Sequence, residues 1–203
     1  MPTSWLDRAT RQNSRLQSGL FPHQASAWLD NPVRAAFSRH PRRLLDALAL
    51  TGREHVLELG PGSGFFSRPV AAALPEGRLE LFDVQPEMLA KARRKLERAG
   101  HRGVGFRTGD AGAGLPYSDN AFDPVFLVSV IGEVPDKDGC LCELHRVLKP
   151  AGLLVFLETF PDPERFEVDR LRALSEPHGF GYLDARGNRW HDLVRFRSQH
   201  SST

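Results

Sequence analysis

An acidic residue and three glycines follow one another at the end of a short apolar run. Residues 57 to 64 read LELGPGSG, so Glu58 is followed by Gly60, Gly62 and Gly64 at every second position. Glycines in such a turn let the backbone approach a ligand closely, and the amides at the start of a following helix attract a carboxylate or a phosphate. The stretch therefore predicts a small-molecule binding loop, in which an acid restricts the choice of ligand.

The spacing of the glycines argues against two common nucleotide-binding loops. The pattern is G-x-G-x-G, whereas the dinucleotide fingerprint requires a glycine or an alanine where Phe65 stands, and no Gly-Lys-Ser/Thr of a P-loop follows. The Glu58 carboxylate would repel a pyrophosphate but attract a ligand that carries ammonium and sulfonium groups. S-adenosylmethionine has these charges, together with a carboxylate for the loop amides, and is the predicted cofactor, with S-adenosylhomocysteine as its product.

Two further acids close the next two apolar runs. Asp83 ends the second run, where an acid can accept hydrogen bonds from both ribose hydroxyls. Asp110 lies in TGDA, where its carboxylate can accept from an adenine amino group while the Ala111 amide donates to the ring. Each acid alone is more simply explained as a loop residue or a helix cap. Three acids on three successive strand ends together favour one ligand site.

The elements that must position these acids alternate regularly after Gly52. Apolar runs of strand length occupy residues 55 to 60, 78 to 84, 104 to 110, 125 to 130 and 153 to 159. The central runs lack polar alternation and so predict buried parallel strands. Helical patterns separate them at about 64 to 74, 86 to 99 and 136 to 148. This order predicts an α/β fold with a doubly wound, mostly parallel sheet, in which ligands bind beyond the carboxyl ends of the strands.

Both ends of the chain depart from that alternation. A helix near 163 to 177 precedes GYLDA and DLVRFR, which flank residues 186 to 189 as two strands flank a hairpin turn. At the front we expect residues 1–50 to form a helical lid or substrate cap, with a helix that Pro41 divides. Residues 51–203 should form the cofactor-binding domain, in one compact unit with the lid. Four aromatic residues of the lid could line an apolar pocket or pack in its core: Trp5, Phe21, Trp28 and Phe37.

Charge and composition narrow the partners and the location. The net charge of +2 is uneven, since the first 53 residues hold eight arginines. These are dispersed without interleaved aromatics, so we expect no nucleic-acid partner, while peripheral membrane contact through the basic front region stays open. No apolar stretch reaches the roughly 18 residues that a membrane span needs, and the charged start does not resemble a signal peptide. We therefore expect a cytoplasmic monomer or homodimer.

The two cysteines do not predict a metal site or a disulfide framework. Cys140 and Cys142 lie two residues apart in a predicted helix and so point to different faces. We expect reduced packing thiols and no bound metal.

As a set, four motifs resemble the class I S-adenosylmethionine-dependent methyltransferases, in the small-molecule group that includes the ubiquinone and menaquinone biosynthesis type. They are VLELGPGSGFFS, LFDVQPEMLAKAR, GDAGAGLPYSDNAFDPVFLVSVIGEV and ELHRVLKPAGLLVFLE, within residues 54 to 160. The resemblance implies a seven-stranded sheet with only the last strand antiparallel. It implies the following cofactor contacts: Glu58, Gly60, Gly62 and Gly64 around the methionine part, Asp83 at the ribose, Val84 and Met88 along the adenine, Asp110 and Ala111 at the adenine edge, and Ser129 facing the ammonium.

The chain departs from the family pattern at three places. Pro69 falls where the helix after the glycine loop should be regular, so that helix either kinks or starts late. Pro124 falls at the start of the fourth strand and requires a position that needs no ladder donor. GEV at 132 to 134 replaces a histidine-bearing variant often seen in the family.

The predicted chemistry needs orientation more than a catalytic group. Methyl transfer from a sulfonium is an in-line displacement, so a general base is needed only if the acceptor must lose a proton. Glu133, after the fourth strand, and Glu158, at the end of the fifth, are the candidate bases. Neither an Asn-Pro-Pro-aromatic run nor a Pro-Cys nucleophile follows the fourth strand, which favours a small-molecule acceptor over a nucleic acid base.

Two alternatives stay open. The first is a catalytically silent or regulatory protein that keeps the cofactor site. The second is a nicotinamide oxidoreductase, which Phe65 and Glu58 oppose.

Overall fold

The computed structural model describes residues 40–159, 165–188 and 191–200. Most of the predicted lid, residues 1–39 with its four aromatic residues, lies outside this part of the chain. The helices within the described residues are α1 His40–Leu48, α2 Ser67–Ala72, α3 Pro86–Arg98, α4 Lys137–Val147 and α5 Val168–Ser175, which a 3-10 turn at Glu176–His178 follows. The strands are β1 His55–Leu59, β2 Arg78–Asp83, β3 Val104–Thr108, β4 Phe122–Val128, β5 Leu148–Thr159, β6 Phe180–Asn188 and β7 His191–Ser198.

The strands form one seven-stranded sheet in the order β3-β2-β1-β4-β5-β7-β6. Neighbouring strands among β1 to β5 pair in parallel, and β7 runs antiparallel to both β5 and β6. The predicted fold, with only the last strand antiparallel, is confirmed. The chain order reverses at β1, which lies between β2 and β4, so the crevice at the carboxyl end of β1 is where such sheets bind ligands.

Both faces of the sheet are covered by helices. Side chains alternate along each strand, so that Leu57 packs with α4 and α5 on one face while Val56 packs with α1, α2 and α3 on the other. A fully buried leucine or phenylalanine contributes about 1.5–3 kcal/mol, so the two layers supply most of the drive for folding. Since both faces are dry, the central strands can be apolar throughout, which explains their missing polar alternation.

The two prolines that depart from the family pattern lie at positions where no regular backbone hydrogen bond is lost. α2 starts late, at Ser67, so Pro69 lies in its first turn, where a backbone N–H has no partner inside the helix. The pairing register of β4 with β5 shifts between Phe122 and Pro124, so Pro124 lies at an irregularity of the ladder. A proline at such an irregularity removes no regular ladder bond.

The predicted hairpin turn is wrong in position. Residues 186 to 188 belong to β6 and pair with β7 down to the partners Asn188 and His191, so the connection falls at residues 189 and 190, outside the described part. The turn-forming residues join the strand because β7 lies inside the sheet and offers β6 a full ladder of hydrogen bonds. The helix predicted near 163 to 177 is also shorter, since Pro177 cannot donate to the preceding turn and α5 ends at Ser175.

Candidate functional site

The loop between β1 and α2 is built around glycines in the left-handed region. The φ angles of Gly60, Gly62 and Gly64 are +67°, +53° and +80°. A Cβ on Gly60 would lie 2.4 Å from the Val130 side chain, and one on Gly64 would lie 3.0 Å from Ala92. These two glycines therefore permit close packing against the turn after β4 and against α3.

Gly62 differs from Gly60 and Gly64 because its open side is uncovered by the described part of the chain. A Cβ on Gly62 would meet no atom of the described residues within 4 Å. The loop is nevertheless held in place, since Gly60 N–H donates to the Phe82 carbonyl at 2.8 Å and Gly64 N–H donates to the Pro61 carbonyl at 2.9 Å. A rigid backbone with an uncovered glycine is suited to the close approach of a ligand.

Glu58 is a buried acid whose carboxyl is incompletely satisfied. The residue is 2% exposed, and its Oε2 has no hydrogen-bond partner among the described residues. Burial, with a contribution from the charge of Asp83, raises its pKa to about 8, although the nearby Ser67 hydroxyl opposes the rise. The Ser67 oxygen itself forms no hydrogen bond of ordinary geometry within the described chain. Such a carboxyl is costly to ionise alone and would be stabilised by a cationic group, as the ammonium or sulfonium of S-adenosylmethionine provides.

Asp83 connects the tip of β2 to the glycine loop. Its Oδ1 accepts from the Gln85 N–H at 2.8 Å, and the Gly62 amide also donates to the carboxylate. Burial raises its pKa, while these backbone hydrogen bonds and one from Val84 oppose the rise. Asp83 as a whole is 7% exposed, and its carboxylate is tied to the glycine loop by the Gly62 amide.

The two residues predicted to line an adenine ring differ in exposure. Val84 is 46% exposed and is one of two large apolar side chains that are exposed among the described residues. Uncovered apolar surface beside a carboxylate suits a flat, hydrogen-bonding ring. Met88 is only 3% exposed, so it offers such a ring little surface.

Asp110 shares the edge of the sheet with the other two acids. The Gly109 N–H donates to the Asp83 carbonyl at 3.1 Å, which joins the tip of β3 to the tip of β2. Asp110 itself is exposed, and its Oδ1 accepts from the Gly112 N–H at 2.9 Å, as in an Asx turn. Ala111 is buried below it. The structure thus brings the three acids to one edge, while the ligand contact of Asp110 stays a prediction.

Ser129 terminates β4 in a strained conformation. Its φ is +51°, a region that costs a non-glycine residue about 1–2 kcal/mol. Its hydroxyl lies 2.9 Å from Thr159 Oγ1 and accepts from the Thr159 N–H at 3.2 Å. Because β5 engages the hydroxyl, the backbone carbonyl is the group left for the predicted contact with an ammonium.

Of the two candidate bases, Glu133 follows β4 and Glu158 lies near the end of β5. Glu133 is half-buried, in a turn where its N–H donates to the Val130 carbonyl at 2.9 Å. Glu158 is buried, and its Oε2 accepts from the Phe166 N–H at 3.2 Å. No group of three or more histidine, cysteine, aspartate or glutamate side chains within the described ranges could hold a metal ion.

Arg146, on α4, was missed by the sequence reasoning. Its guanidinium donates to the Leu115 carbonyl at 2.9 Å and the Tyr117 carbonyl at 2.8 Å, and it pairs with Asp119 and Glu143. Glu143 in turn accepts from the Leu115 N–H at 2.7 Å. One arginine therefore anchors the loop that follows Asp110 and Ala111. The local sequence indicates this anchor only through the spacing of Glu143 and Arg146, which lie three residues apart in ELHR.

A basic groove lies between α2 and α3 rather than at the strand tips. It has a volume of about 470 Å³ and is lined by Ser63, Arg68, Lys91, Arg94, Lys95, Arg98 and Ala99. The sequence reasoning placed the basic character in the front region, most of which lies outside the described residues. None of the described helices is long and apolar enough to cross a membrane.

Comparison with known proteins agrees with this geometry. Residues 57–156 match a family model described as a methyltransferase domain. A demethylmenaquinone methyltransferase of Tropheryma whipplei is 32% identical over 159 residues, covering 72% of this chain and 64% of that protein. An arsenite methyltransferase of Halobacterium salinarum is 32% identical over 125 residues, covering 60% of this chain and 32% of that protein. The chain thus spans less than two thirds of the curated relatives it matches.

A solved structure supports the fold. A S-adenosylmethionine-dependent methyltransferase from Aquifex aeolicus superposes with a TM-score of 0.80 at 23% identity, over 88% of this chain and 99% of that one. The predicted fold and the predicted methyltransferase domain are confirmed, whereas the individual cofactor contacts stay predictions. Residues 57–156 of the chain thus carry a methyltransferase domain, within a fold shared with the Aquifex aeolicus methyltransferase.

Proposed function

We propose that the protein transfers the methyl group of S-adenosylmethionine to a small-molecule acceptor. The observation that carries this proposal is the buried Glu58 carboxyl at the tip of β1, one oxygen of which has no hydrogen-bond partner among the described residues. A site for a pyrophosphate would be weakened by an acid in this place, whereas a site for a cationic ligand requires one.

The described residues would hold the cofactor as follows. Glu58 offers a negative charge for the methionine ammonium, Asp83 accepts from the ribose hydroxyls, and Val84 offers apolar surface to the adenine. When bound, S-adenosylmethionine supplies an electrophilic methyl group on a sulfonium. The chain contributes mainly orientation, since fixing two reactants in line can lower a barrier by roughly 7–11 kcal/mol. The strand-tip hydrogen bonds that tie Gly60 to Phe82 and Gly109 to Asp83 provide the necessary rigidity.

The acceptor is proposed as a small molecule held between the turn after β4 and residues 1–50. The relatives are named for acceptors as different as demethylmenaquinone and arsenite. Their names therefore support a small-molecule acceptor but do not favour a particular one. Glu133 is the proposed general base where the acceptor must lose a proton. Its position in the turn after β4, which packs against the glycine loop through Val130, supports this proposal.

The test combines binding and turnover with the full-length protein. Methyl-labelled S-adenosylmethionine is incubated with a metabolite panel that includes a demethylmenaquinone-type quinol, phenols, amines and arsenite. We expect labelled product from at least one acceptor. Glu58→Gln should lower cofactor affinity, whereas Glu133→Gln should keep it and lower kcat alone. Cofactor binding without transfer to any acceptor would favour the silent, regulatory alternative, and preferential binding of NAD would overturn the proposal.

A further inference from the structure

A thiol, an imidazole and a carboxylate meet on the surface of α4. The Cys142 sulfur lies 3.5 Å from His178 Nδ1, and His178 Nε2 lies 2.9 Å from Asp138 Oδ1. Asp138 and Cys142 are four residues apart on α4, so they share one face of that helix. His178 reaches them from the 3-10 turn after α5. None of the three belongs to the proposed cofactor site.

The backbone around His178 holds the imidazole against α4. Gly179 ends the 3-10 turn with a φ of +81°, and a Cβ in its place would lie 2.7 Å from His145 Nε2. The Gly179 carbonyl accepts from the Gln199 N–H at 2.8 Å, which fixes the turn to the residue after β7. The His178 side chain is consequently only 17% exposed, although Asp138 and Cys142 lie at the surface.

The order of contacts sets the direction of proton transfer. A carboxylate bonded at Nε2 favours the tautomer with its proton on that nitrogen, which leaves Nδ1 as an acceptor facing the thiol. A cysteine beside an imidazole that a third group orients is the arrangement of an activated nucleophile. The other titratable groups near His178 are His145, whose charge it affects, and His200, which stacks on His145 with ring centroids 4.3 Å apart.

The neighbouring cysteine has the opposite environment. Cys140 is fully buried, and burial raises its pKa to about 12, so it stays a thiol at neutral pH. Cys142 is exposed, which corrects the expectation that both are packing thiols. The chain therefore contains its own inert control two residues from the exposed cysteine.

We propose that Cys142 is a nucleophilic thiol that exchanges with low-molecular-weight disulfides. In this step His178 Nδ1 takes the thiol proton, and the Cys142 sulfur attacks one sulfur of the disulfide. The disulfide bond breaks as a protein mixed disulfide forms, and the departing thiolate takes the proton from His178. The Cys142 sulfur is oxidised and the departing sulfur is reduced, so the exchange needs no further reactant.

The test uses the full-length protein with oxidised glutathione at pH 7, followed by intact mass and peptide mapping. We expect one mixed disulfide, at Cys142, that Cys142→Ser abolishes and Cys140→Ser keeps. A free thiol is only a few per cent thiolate at this pH, so an imidazole that takes the proton can accelerate the reaction roughly tenfold or somewhat more. His178→Gln should remove that acceleration, whereas the control His101→Gln, just after α3 on the opposite side of the sheet, should keep it.

A second comparison needs no variant. Wild-type Cys142 should react about tenfold faster than the thiol of a short cysteine peptide under the same conditions. Equal rates for Cys142 and the peptide, equal rates for wild type and folded His178→Gln, or modification at Cys140 would each overturn the proposal. Circular dichroism and cofactor binding confirm that a variant is folded, because these residues lie outside the proposed cofactor contacts.

Discussion

The Asp83 carboxylate, at the tip of β2, raises the pKa of Glu58 at the tip of the neighbouring parallel strand. Burial is the larger cause, and together they raise that pKa to about 8 from an ordinary value of 4.5. A buried acid whose ionisation is further disfavoured by a neighbouring carboxylate would be stabilised by a positively charged ligand. The first two predictions follow from this relationship.

The stability of the protein without cofactor should fall as the pH rises from about 4.5 to about 8, in part because of Glu58. In this window the folded state keeps a proton that the unfolded state has lost, so the unfolding free energy decreases with pH by up to a few kcal/mol. Glu58→Gln removes this titration. In urea denaturation at several pH values, the unfolding free energy of the variant should increase relative to that of wild type as the pH rises. A difference in unfolding free energy that does not change with pH would contradict the assignment.

Binding of S-adenosylmethionine should release a proton in the same pH window. A cationic ligand favours the Glu58 carboxylate, so affinity should increase with pH up to about 8 and then level off. Calorimetric titration in two buffers of different ionisation enthalpy measures the proton directly. Glu58→Gln should bind more weakly and release less than wild type, since only Asp83 would then remain with a raised pKa at the site.

Comparison of Gly62→Ala with Gly100→Ala should distinguish the effect of backbone strain on stability from the effect of a lost ligand contact on binding. Gly62 and Gly100 both have positive φ, at +53° and +87°, and a Cβ on either would meet no atom of residues 40–159, 165–188 and 191–200 within 4 Å. Each substitution to alanine should therefore cost about 1–2 kcal/mol of stability. Only Gly62→Ala should also weaken cofactor binding, because its methyl would occupy the uncovered side of the loop. Loss of affinity in Gly100→Ala, at the end of α3, would show that strain alone is responsible.

Asp83→Asn should weaken binding of the adenosyl part while the loop stays in place. The amide oxygen of asparagine can still accept from the Gln85 N–H, so the local turn should survive. Hydrogen bonds to a charged group are worth about 1.5–3 kcal/mol, which corresponds to roughly a 10- to 100-fold loss of affinity for S-adenosylhomocysteine. Asp110→Asn is the comparison, and since that residue is exposed its effect should be smaller. Equal effects would argue against the assignment of Asp83 to the ribose.

Arg146→Lys should destabilise the loop that follows Asp110. Lysine cannot reproduce the fork that contacts Leu115, Tyr117 and Glu143 at once. The Arg146 side chain is partly exposed, so we expect a cost of about 1–2 kcal/mol in thermal or urea denaturation. Faster amide hydrogen exchange should be confined to residues 112–119. Arg172→Lys, in an exposed pair with Glu176, is the matched control and should change little.

The sequence could predict those features that depend on neighbours along the chain. The parallel strands, the glycine loop and the acids at the strand tips are local patterns, because a buried strand needs an apolar run and a close approach needs glycine. Glu58 also led to the prediction of a cationic cofactor, which stays a prediction. The hairpin turn was misplaced because a full ladder with β7 overrides the local preference of residues 186 to 188.

The remaining features were decided by tertiary structure. The pairing of β7 with β5, the bond of the Ser129 hydroxyl to Thr159 and the anchoring of the Asp110 loop by Arg146 each join residues that are 27 or more positions apart. The contrast between Cys140 and Cys142 also depends on which side of α4 meets the sheet and which meets His178. Local propensity carries no information about such partners, because their contact energy appears only when the sheet has brought them together.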